Sequence, residues 1–373
     1  DMSDPQQDGL PQNIIFMVSD GFGTSSTTLA REYQAHMNNM ISPGKPIPLL
    51  HLDKLLSGQC HTYSANSIVT DSAAGATSWA CGMKTNNQMV ATNPVSKNPC
   101  ATLMEAAKES DMATGVVVTS SVTDATPAAF VSHARHRKLE YSIALQYSVN
   151  RTADVVLGGG SKYFTDEQLG MLQATEGREN YAVVKDREGL LHVSDAPLIG
   201  LFAENHLPWE IDRDRSRVPS LKEMAIKAVD LLQKRRRAHG QRGFFLLIEG
   251  SNIDKAAHPN DAAAHLHEIL QYDETVGAMV DFAKQNQHTL IVATSDHETG
   301  GFSMGRGVVT GGTDPEAPLR TRSFASEATD LMDMSYQVQL EVLRTVNMST
   351  ELMADAAEAA LLARNPLALS NVV

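Results

Sequence analysis

The chain has 373 residues, of which 42% are apolar and 5% aromatic, so it can bury one large core or two smaller ones. Its formal net charge of −13 argues against general affinity for nucleic acid or anionic membrane, and any bound phosphate therefore needs a local cluster of positive charge or metal. No apolar run approaches the roughly 18 residues that a membrane span requires.

The first residues and the cysteines say little about the cellular compartment. The chain begins with Asp1 rather than an initiator Met, which predicts a removed leader, and its polar start predicts a short disordered arm. Three cysteines are too few for a disulfide scaffold. We expect at most one pair, Cys60 with Cys100, and interpret Cys81 as a buried helix residue.

Short apolar runs alternate with helical patterns from residue 13 onward. Strands are predicted at 13–18, 114–119, 154–157, 244–248 and 289–294, and helices at 102–110, 139–149, 220–237 and 261–286. Continuous apolar strands that alternate with helices predict an α/β fold with a mostly parallel central β-sheet and helices on both faces.

The composition changes after residue 300. Residues 301–327 are rich in Gly, Pro, Ser, Thr and charge, which predicts a long loop. Two helices are predicted next, at 328–346 and 349–364, the second beginning at Ser349 or Thr350 with Glu351 near its cap. These segments form an excursion from the sheet rather than its completion.

Three predicted strands end at an acidic residue, namely Asp20, Glu249 and Asp296. Ligands of open α/β sheets bind at the carboxyl ends of the strands. A single Asp after a strand is equally a turn former or helix cap. Three such carboxylates together, one of them followed directly by His297, favour a cation site.

A second acidic and imidazole pair follows Glu249. Asp254 and His258 are four residues apart, so one helical turn would place both side chains on one face. Oxygen and nitrogen donors of this kind suit zinc. The spacing alone more often marks a hydrogen-bonded surface pair, so that alternative stays open.

The segment 120–138 offers a hydroxyl and a basic run. Thr126 precedes Pro127 at a predicted helix start, where its hydroxyl could cap the helix or bind a hard cation such as magnesium. Arg137, on a later turn, could hold two phosphoryl oxygens with its planar guanidinium. An ordinary solvated helix arginine is the alternative.

The most distinctive stretch is Asp71-Ser72-Ala73-Ala74-Gly75-Ala76-Thr77, where a helix is predicted to begin. It resembles the nucleophile motif of the alkaline phosphatases. Further motifs of that family occur in the same order and at similar spacings, over roughly residues 13–303. They are Ser19-Asp20-Gly21, Asp124-Ala125-Thr126-Pro127-Ala128 with Arg137, Glu249-Gly250 through His258, and Ser295-Asp296-His297-Glu298-Thr299-Gly300-Gly301.

The resemblance implies an alkaline phosphatase that hydrolyses small phosphate monoesters to alcohol and inorganic phosphate through a phosphoserine intermediate. Ser72 is then the nucleophile and Arg137 binds the phosphoryl oxygens. Asp124 and Lys255 match the branch of the family in which that acid–base pair lines the pocket and contacts metal- or phosphate-bound water. Asp71 is assigned only the stabilisation of the helix start.

The resemblance also implies two Zn²⁺ ions and one Mg²⁺ ion. A serine hydroxyl is barely ionised at mild pH and needs such a metal, or a base, to become a nucleophile. Carried over, the metal ligands are Asp296, His297 and Ser72 for the second zinc, Asp20 bridging that zinc and magnesium, Thr126 and Glu249 for magnesium, and Asp254 and His258 for the first zinc.

The family pattern further implies a homodimer, in a periplasmic or secreted location, and the charge and apolar runs predict no nucleic-acid partner and no membrane span. It divides the chain into an α/β catalytic domain at 1–300 and a loop and helical excursion of the same domain at 301–373. The sequence departs from the pattern after His297, because no histidine and no Gly-x-His-Thr-Gly segment follows it. We expect a chain truncated after the excursion; the alternative is a divergent member with an incomplete first zinc site and slow hydrolysis of its phosphoserine.

Two rival functions remain open from the residues. One is another hydrolase of the superfamily, such as a phosphodiesterase or sulfatase, or a phosphomutase. Sulfatases require a modifiable Cys or Ser in a different motif, and Arg137 with Asp124 and a magnesium site favours monoesters. The other rival is a metal- or phosphate-binding protein without turnover.

Overall fold

Seven strands form the centre of the protein in a computed structural model that describes residues 10–40, 46–174, 176–302 and 343–362. Every strand pairing is parallel. The strands are β1 (Asn13–Ser19), β2 (Ala113–Ser121), β3 (Val155–Gly159), β4 (Ala182–Val184), β5 (Leu198–Leu201), β6 (Phe244–Gly250) and β7 (Thr289–Ser295). Their order across the sheet is β4-β5-β3-β2-β6-β1-β7.

Helices connect and cover these strands. They are α1 (Thr24–Met37), α2 (Ser72–Cys81), α3 (Leu103–Glu109), α4 (Ala125–Val131), α5 (Glu140–Asn150), α6 (Asp166–Gln173), α7 (Arg187–His192), α8 (Leu221–His239), α9 (Asn252–Ala257), α10 (Ala262–Gln285) and α11 (Thr350–Leu362). None of the helices in the described ranges has both the length and the apolar character needed to cross a bilayer. The five predicted strands and the four helices predicted before residue 300 are confirmed, each within two residues at either end.

The two faces of the sheet carry separate apolar layers. Side chains alternate along β1, so that Ile15 and Met17 join one buried cluster whereas Phe16 and Val18 join the other. The first cluster includes side chains of α1, α8 and α10, and the second includes side chains of α2 to α6. The expected parallel sheet with helices on both faces is therefore confirmed, and its carboxyl edge is left for the functional side chains.

Two strands were not predicted, β4 and β5 at one side of the sheet. They span only 3 and 4 residues, and Ala182 at the start of β4 is exposed. Runs this short give no periodicity that distinguishes a strand from a loop. Their pairing depends on the neighbouring β3 rather than on local preference.

The end of the described chain returns to the body of the protein. Ser349 Oγ accepts the Leu352 N–H at 3.1 Å, which confirms one of the two expected helix starts. The Thr350 N–H and hydroxyl both donate to Asp261 Oδ2, while Asp261 Oδ1 caps α10. Most of the predicted loop at 301–327 and of the predicted helix at 328–346 lies outside the described residues.

The predicted cysteine pairing is wrong. The structure joins Cys81 to Cys100 in a disulfide and leaves Cys60 free and exposed. Cys81 is the last residue of α2 and is only half-buried. The intervening chain turns back at the bridge between Thr92 and Pro99, which brings the Cα atoms of the two cysteines within 5.9 Å. This reversal leaves no periodic signal in the sequence.

Glu268 on α10 is a buried carboxylate whose direct partners are neutral donors. It accepts the Glu210 N–H at 2.7 Å and the Gln271 amide at 2.6 Å, and burial raises its pKa from 4.5 to about 8. A raised carboxyl pKa means that the folded state loses stability as the pH rises from about 4.5 to 8. Glu268→Gln keeps an acceptor oxygen, so we expect it to stabilise the fold at pH 9 by a few kcal/mol.

Urea unfolding at pH 4 and pH 9 measures this effect. The gain should nearly vanish at pH 4, because both the folded and the unfolded wild-type chain then hold the proton. An equal gain at the two pH values would show that packing, not ionisation, is responsible.

Candidate active site

Three carboxylates meet at the carboxyl edge of neighbouring strands. β6, β1 and β7 are adjacent in the sheet, with Val18 opposite Glu249 and Ser19 opposite Ser295. This register brings Asp20, Glu249 and Asp296 to nearly the same level of the sheet. All three side chains are buried, and the Gly21 N–H donates to Asp296 Oδ1 at 3.0 Å.

Ser72 lies against the acidic edge. Its hydroxyl donates to Asp20 Oδ1 at 3.3 Å, and its oxygen is 3.2 Å from His297 Nε2. One donor atom from each of Asp20, Asp296 and His297 lies within 4.8 Å of the others. Donors this close can share one divalent ion after a small adjustment, and Ser72 would be at its side.

Helix α2 fixes the position of Ser72. Asp71 is the N-cap, with its Oδ1 accepting the Ala74 N–H at 3.0 Å, so Ser72 is the first helical residue. A Cβ added to Gly75 would lie 3.3 Å from the Asp296 Cβ, so the helix approaches the strand end closely. Small side chains in this helix therefore allow the nucleophile candidate to reach the ligand candidates.

The buried carboxylates lack enough positive charge among the described residues. Burial, and then Asp296 and Asp254, raise the pKa of Asp20 well above its usual range. Burial raises the pKa of Asp296 to about 7, and burial followed by Asp20 raises that of Glu249. Groups in this state are stable as anions only when a cation lies among them.

Two buried oxygens, Asp296 Oδ2 and Thr126 Oγ1, make no hydrogen bond of regular geometry within the described chain, although His297 Nε2 lies 3.2 Å from Asp296 Oδ2. The Thr126 hydroxyl faces the Glu249 carboxylate and lowers its pKa slightly against the effect of burial. Carboxylate, hydroxyl and imidazole donors in one buried group suit divalent cations such as Mg²⁺ and Zn²⁺.

Thr126 is not the helix cap that one interpretation allowed. Helix α4 begins at Ala125, and Asp124 is its N-cap. The Thr126 hydroxyl is therefore not used by the helix start. Pro127 follows inside the first turn, where its missing N–H costs nothing.

Asp254 and His258 come together as their spacing predicted. α9 directly follows β6, and His258 Nε2 lies 3.3 Å from Asp254 Oδ2. Asp254 is buried and accepts the Thr299 hydroxyl at 2.6 Å, whereas 69% of the His258 side chain is exposed. No third His, Cys, Asp or Glu within the described ranges joins them in a comparably close group.

Gly21 makes the approach of α9 possible. Its φ is +71°, and a Cβ there would lie 2.7 Å from the Asp254 Cα. We expect Gly21→Ala to destabilise the fold by about 2 kcal/mol or more and to weaken metal binding, because both backbone strain and a clash arise. Thermal unfolding and the zinc content of the purified variant measure the two effects.

Gly240→Ala is the matched control. Gly240 has a φ of +67° but nothing within 4 Å of an added Cβ, so it reports the backbone strain alone. If both variants lose the same stability and keep the same zinc, the contact with Asp254 does not matter.

Arg137, Asp124 and Lys255 form a chain of charges beside the acidic edge. Arg137 Nη2 donates to Asp124 Oδ1 at 2.9 Å, and Lys255 Nζ lies 2.8 Å from Asp124 Oδ2. Burial raises the pKa of Asp124, but Lys255 and then Arg137 outweigh it and hold that pKa well below its usual range. Burial alone would lower the pKa of Arg137 and of Lys255, but Asp124 raises both.

The placement of Arg137 on a helical turn was wrong. Helix α4 ends at Val131, and Ser132 already has extended backbone angles. Arg137 lies in the segment before α5, where its N–H donates to the Gln88 carbonyl at 2.8 Å. The side chain is 18% exposed, so it is not the solvated arginine of the alternative interpretation.

Sequence reasoning missed three contributors to this site. Asp71 does more than cap α2, because its Oδ2 lies 3.4 Å from Arg137 Nη1 and accepts two hydrogen bonds from Gln88, both at 3.0 Å. Thr299 contacts both Asp254 and His297 Nδ1. Thr299 could have been found from its place two residues after His297, whereas Gln88 lies in an irregular loop and carries no such signal.

Comparisons with known proteins agree with this geometry. The family model described as alkaline phosphatase matches residues 11–361. The repressible alkaline phosphatase of Saccharomyces cerevisiae is 38% identical over 325 residues, which cover 80% of this chain and 56% of the yeast protein. The chain thus spans little more than half the length of that relative.

Solved structures show the same fold. The crystal structure of a cold-active alkaline phosphatase from a psychrophilic Shewanella sp. has a TM-score of 0.76 at 33% identity, over 93% of this chain and 77% of that chain. A histidine mutant of the alkaline phosphatase from the Antarctic bacterium TAB5, with Mg bound in its M3 site, has a TM-score of 0.65 at 31% identity, over 80% and 81% respectively. With a family match over most of its length and Ser72 placed against Asp20 and His297, the chain belongs to the alkaline phosphatase family.

Proposed function

We propose that the protein hydrolyses phosphate monoesters to an alcohol and inorganic phosphate, with Ser72 as the nucleophile. The observation that supports this most directly is the position of Ser72 Oγ, 3.3 Å from Asp20 Oδ1 and 3.2 Å from His297 Nε2. A buried serine at the start of a helix, next to a compact group of metal-ligand side chains, is suited to attack a phosphoryl group.

The donor groups fit two zinc ions and one magnesium ion. Asp20, Asp296, His297 and Ser72 would hold the second zinc, Asp20, Thr126 and Glu249 the magnesium, and Asp254 with His258 the first zinc. When bound, these ions would favour the ionised forms of Ser72 and of water and would neutralise phosphoryl charge. The Mg bound in the TAB5 mutant supports the magnesium part of this proposal.

The residues of the chain then carry the reaction in two displacements. Ser72 Oγ gives its proton to solvent and attacks phosphorus, the bond to the ester oxygen breaks, and the alcohol leaves after taking a proton from solvent. A water molecule next attacks the phosphoserine and releases a proton, the bond between Oγ and phosphorus breaks, Ser72 Oγ takes up a proton, and inorganic phosphate leaves. Arg137 binds two phosphoryl oxygens in both steps and stabilises their charge.

Asp124 orients the phosphate-binding side of the pocket. It holds Arg137 and Lys255 at 2.9 and 2.8 Å, so both cations are directed by one half-buried carboxylate. These cations would bind the phosphoryl group rather than the alcohol part of the substrate. We therefore expect the protein to accept a broad range of monoesters. A homodimer and a periplasmic or secreted location are further proposals from the family resemblance.

Hydrolysis of p-nitrophenyl phosphate and of the bis-ester tests the proposal. We expect cleavage of the monoester that is lost with a chelator and restored by zinc with magnesium, and cleavage of the bis-ester at least about 100-fold slower. Preference for the bis-ester would support a phosphodiesterase instead.

A binding protein without turnover is the second candidate. It is favoured by the proposed first zinc position, where Asp254 and His258 are the only two close ligands in the part of the chain that the structure describes. Metal-dependent binding of inorganic phosphate without any monoester cleavage would support this candidate over the hydrolase.

A further inference from the structure

His133 is a half-buried histidine outside the set of candidate catalytic and metal-binding residues. It follows α4 by two residues, and 16% of its side chain is exposed. Its Nε2 lies 2.9 Å from Glu105 Oε1 on α3, and its Nδ1 lies 2.9 Å from the Ala91 carbonyl oxygen. Both ring nitrogens therefore face acceptors, and only the doubly protonated imidazolium can donate to both.

The surroundings of the ring agree with a cation. Burial alone would lower the pKa of His133, but the hydrogen bonds to Glu105 and to the Ala91 carbonyl outweigh it and raise that pKa. The other charged groups that line the cleft of about 420 Å³ beside the ring are Lys108 and Glu109, both on α3. From α5, the neutral Gln146 side chain binds the His133 backbone on both its N–H and its carbonyl.

The Ala91 carbonyl belongs to a strained segment. Ala91 has a φ of +43° and Gln88 a φ of +73°, values that are unfavourable for a non-glycine residue. Hydrogen bonds from the surrounding structure must hold such a conformation. The Ala91 N–H donates to the Thr77 hydroxyl on α2, and its carbonyl accepts the Cys100 N–H as well as His133 Nδ1.

The same segment supports Arg137. Val90 and Ala134 exchange two backbone hydrogen bonds of 2.9 and 3.0 Å, so residues 88–91 and 133–137 run side by side. We call these two segments together the strip. At the far end the Gln88 carbonyl accepts the Arg137 N–H, and Gln88 donates twice to Asp71. His133 lies at one end of this strip, and the Arg137 guanidinium lies at the other.

We propose that His133 is a positioning residue for Arg137: its protonated ring joins Glu105 to Ala91 and thereby fixes the 88–91 segment that supports the guanidinium. This inference rests on the proposed function for its kinetic readout only. The ring is separated from the phosphoryl pocket by the length of the strip, so it acts through Gln88 and Asp71 rather than on the substrate.

Three variants of the metal-loaded full chain test the proposal. His133→Gln removes the cation. Glu105→Gln removes the negative charge and the acceptor that face His133 Nε2, whereas its amide oxygen can still accept the Thr102 N–H of the α3 cap. His239→Gln is the matched control, since it removes another histidine–glutamate pair, with Glu179 at 3.5 Å, outside the strip.

We expect His133→Gln to raise both KM for p-nitrophenyl phosphate and Ki for inorganic phosphate about tenfold, with unchanged metal content. In Glu105→Gln, the His133 ring should titrate at a pH about one unit lower than in the wild type. The decline of phosphate affinity should shift to the same lower pH. The control should change neither. A Ki within twofold of wild type for His133→Gln would overturn the proposal.

NMR of the Arg137 Nε–H group, recorded without substrate, separates this inference from the proposed function. Its resonance should follow the titration of His133 in the wild type and become insensitive to that pH range in His133→Gln. If the resonance follows His133 but no monoester is cleaved, the proposed function fails and the positioning role stands. If monoesters are cleaved but the Arg137 resonance does not change as His133 titrates, the positioning role is wrong.

Discussion

Ser72→Ala will lower kcat for p-nitrophenyl phosphate by about 10⁴-fold or more. Among the described residues, the substitution removes the one hydroxyl that lies beside both Asp20 and His297, at 3.3 and 3.2 Å, where it could attack a phosphoryl group. The helix start should persist, because the cap is the Asp71 side chain rather than the serine. Steady-state kinetics and acid-quench trapping of a phosphorylated chain measure the loss.

Ser78→Ala is the control on the same helix. Ser78 Oγ donates to the Ala74 carbonyl one turn earlier, away from the carboxylates. This variant should keep kcat within about twofold of wild type, as expected for a serine whose hydroxyl bonds within its own helix. Retained turnover or retained phosphorylation in Ser72→Ala would assign the nucleophile to another group.

Asp296→Asn will separate metal binding from metal-free stability. Burial raises the pKa of Asp296 from 3.8 to about 7, so the metal-free folded chain binds more protons than the unfolded chain between these pH values. Its stability therefore falls as the pH rises through that window, by up to about 4 kcal/mol. Asparagine keeps the oxygen that accepts the Gly21 N–H and removes the charge.

We therefore expect Asp296→Asn to be more stable than wild type at pH 8 in a chelator and to bind zinc far more weakly. Adding zinc and magnesium should raise the unfolding midpoint of the wild type in urea but hardly change that of the variant. Asp273→Asn is the control, because this buried carboxylate accepts the His51 and Leu52 N–H groups away from the site. A similar response to metal in Asp296→Asn and wild type would exclude Asp296 as a ligand.

The central part of the fold follows from local sequence features. β1, β6 and β7 are continuous apolar runs that end in Asp20, Glu249 and Asp296, so strand position and the acidic edge were predicted together. Parallel strands buried on both faces need such runs, and their carboxyl ends meet at one edge. The same logic fails for β4 and β5, whose few residues pair only because β3 is already in place.

The parts of the site that were not predicted depend on how the irregular segment after α2 folds back onto that helix. Cys100 reaches Cys81, and Gln88 reaches Asp71, through the segment after α2, in which Gln88 and Ala91 have positive φ without being glycine. Asp71 seemed sufficiently explained as a cap, yet its second oxygen contacts Arg137. Contacts of this type depend on tertiary structure, and neither spacing nor propensity encodes them.

If the protein binds the ions proposed above, the strand register that aligns Val18 with Glu249 and Ser19 with Ser295 links the supply of divalent ions to the amount of native protein. Backbone pairing places the carboxylates of Asp20, Glu249 and Asp296 close together. Without bound ions, their mutual repulsion lowers the stability of the folded chain. A larger unfolded fraction is then open to proteases. Ion availability would thus set the lifetime of the polypeptide as well as its chemistry.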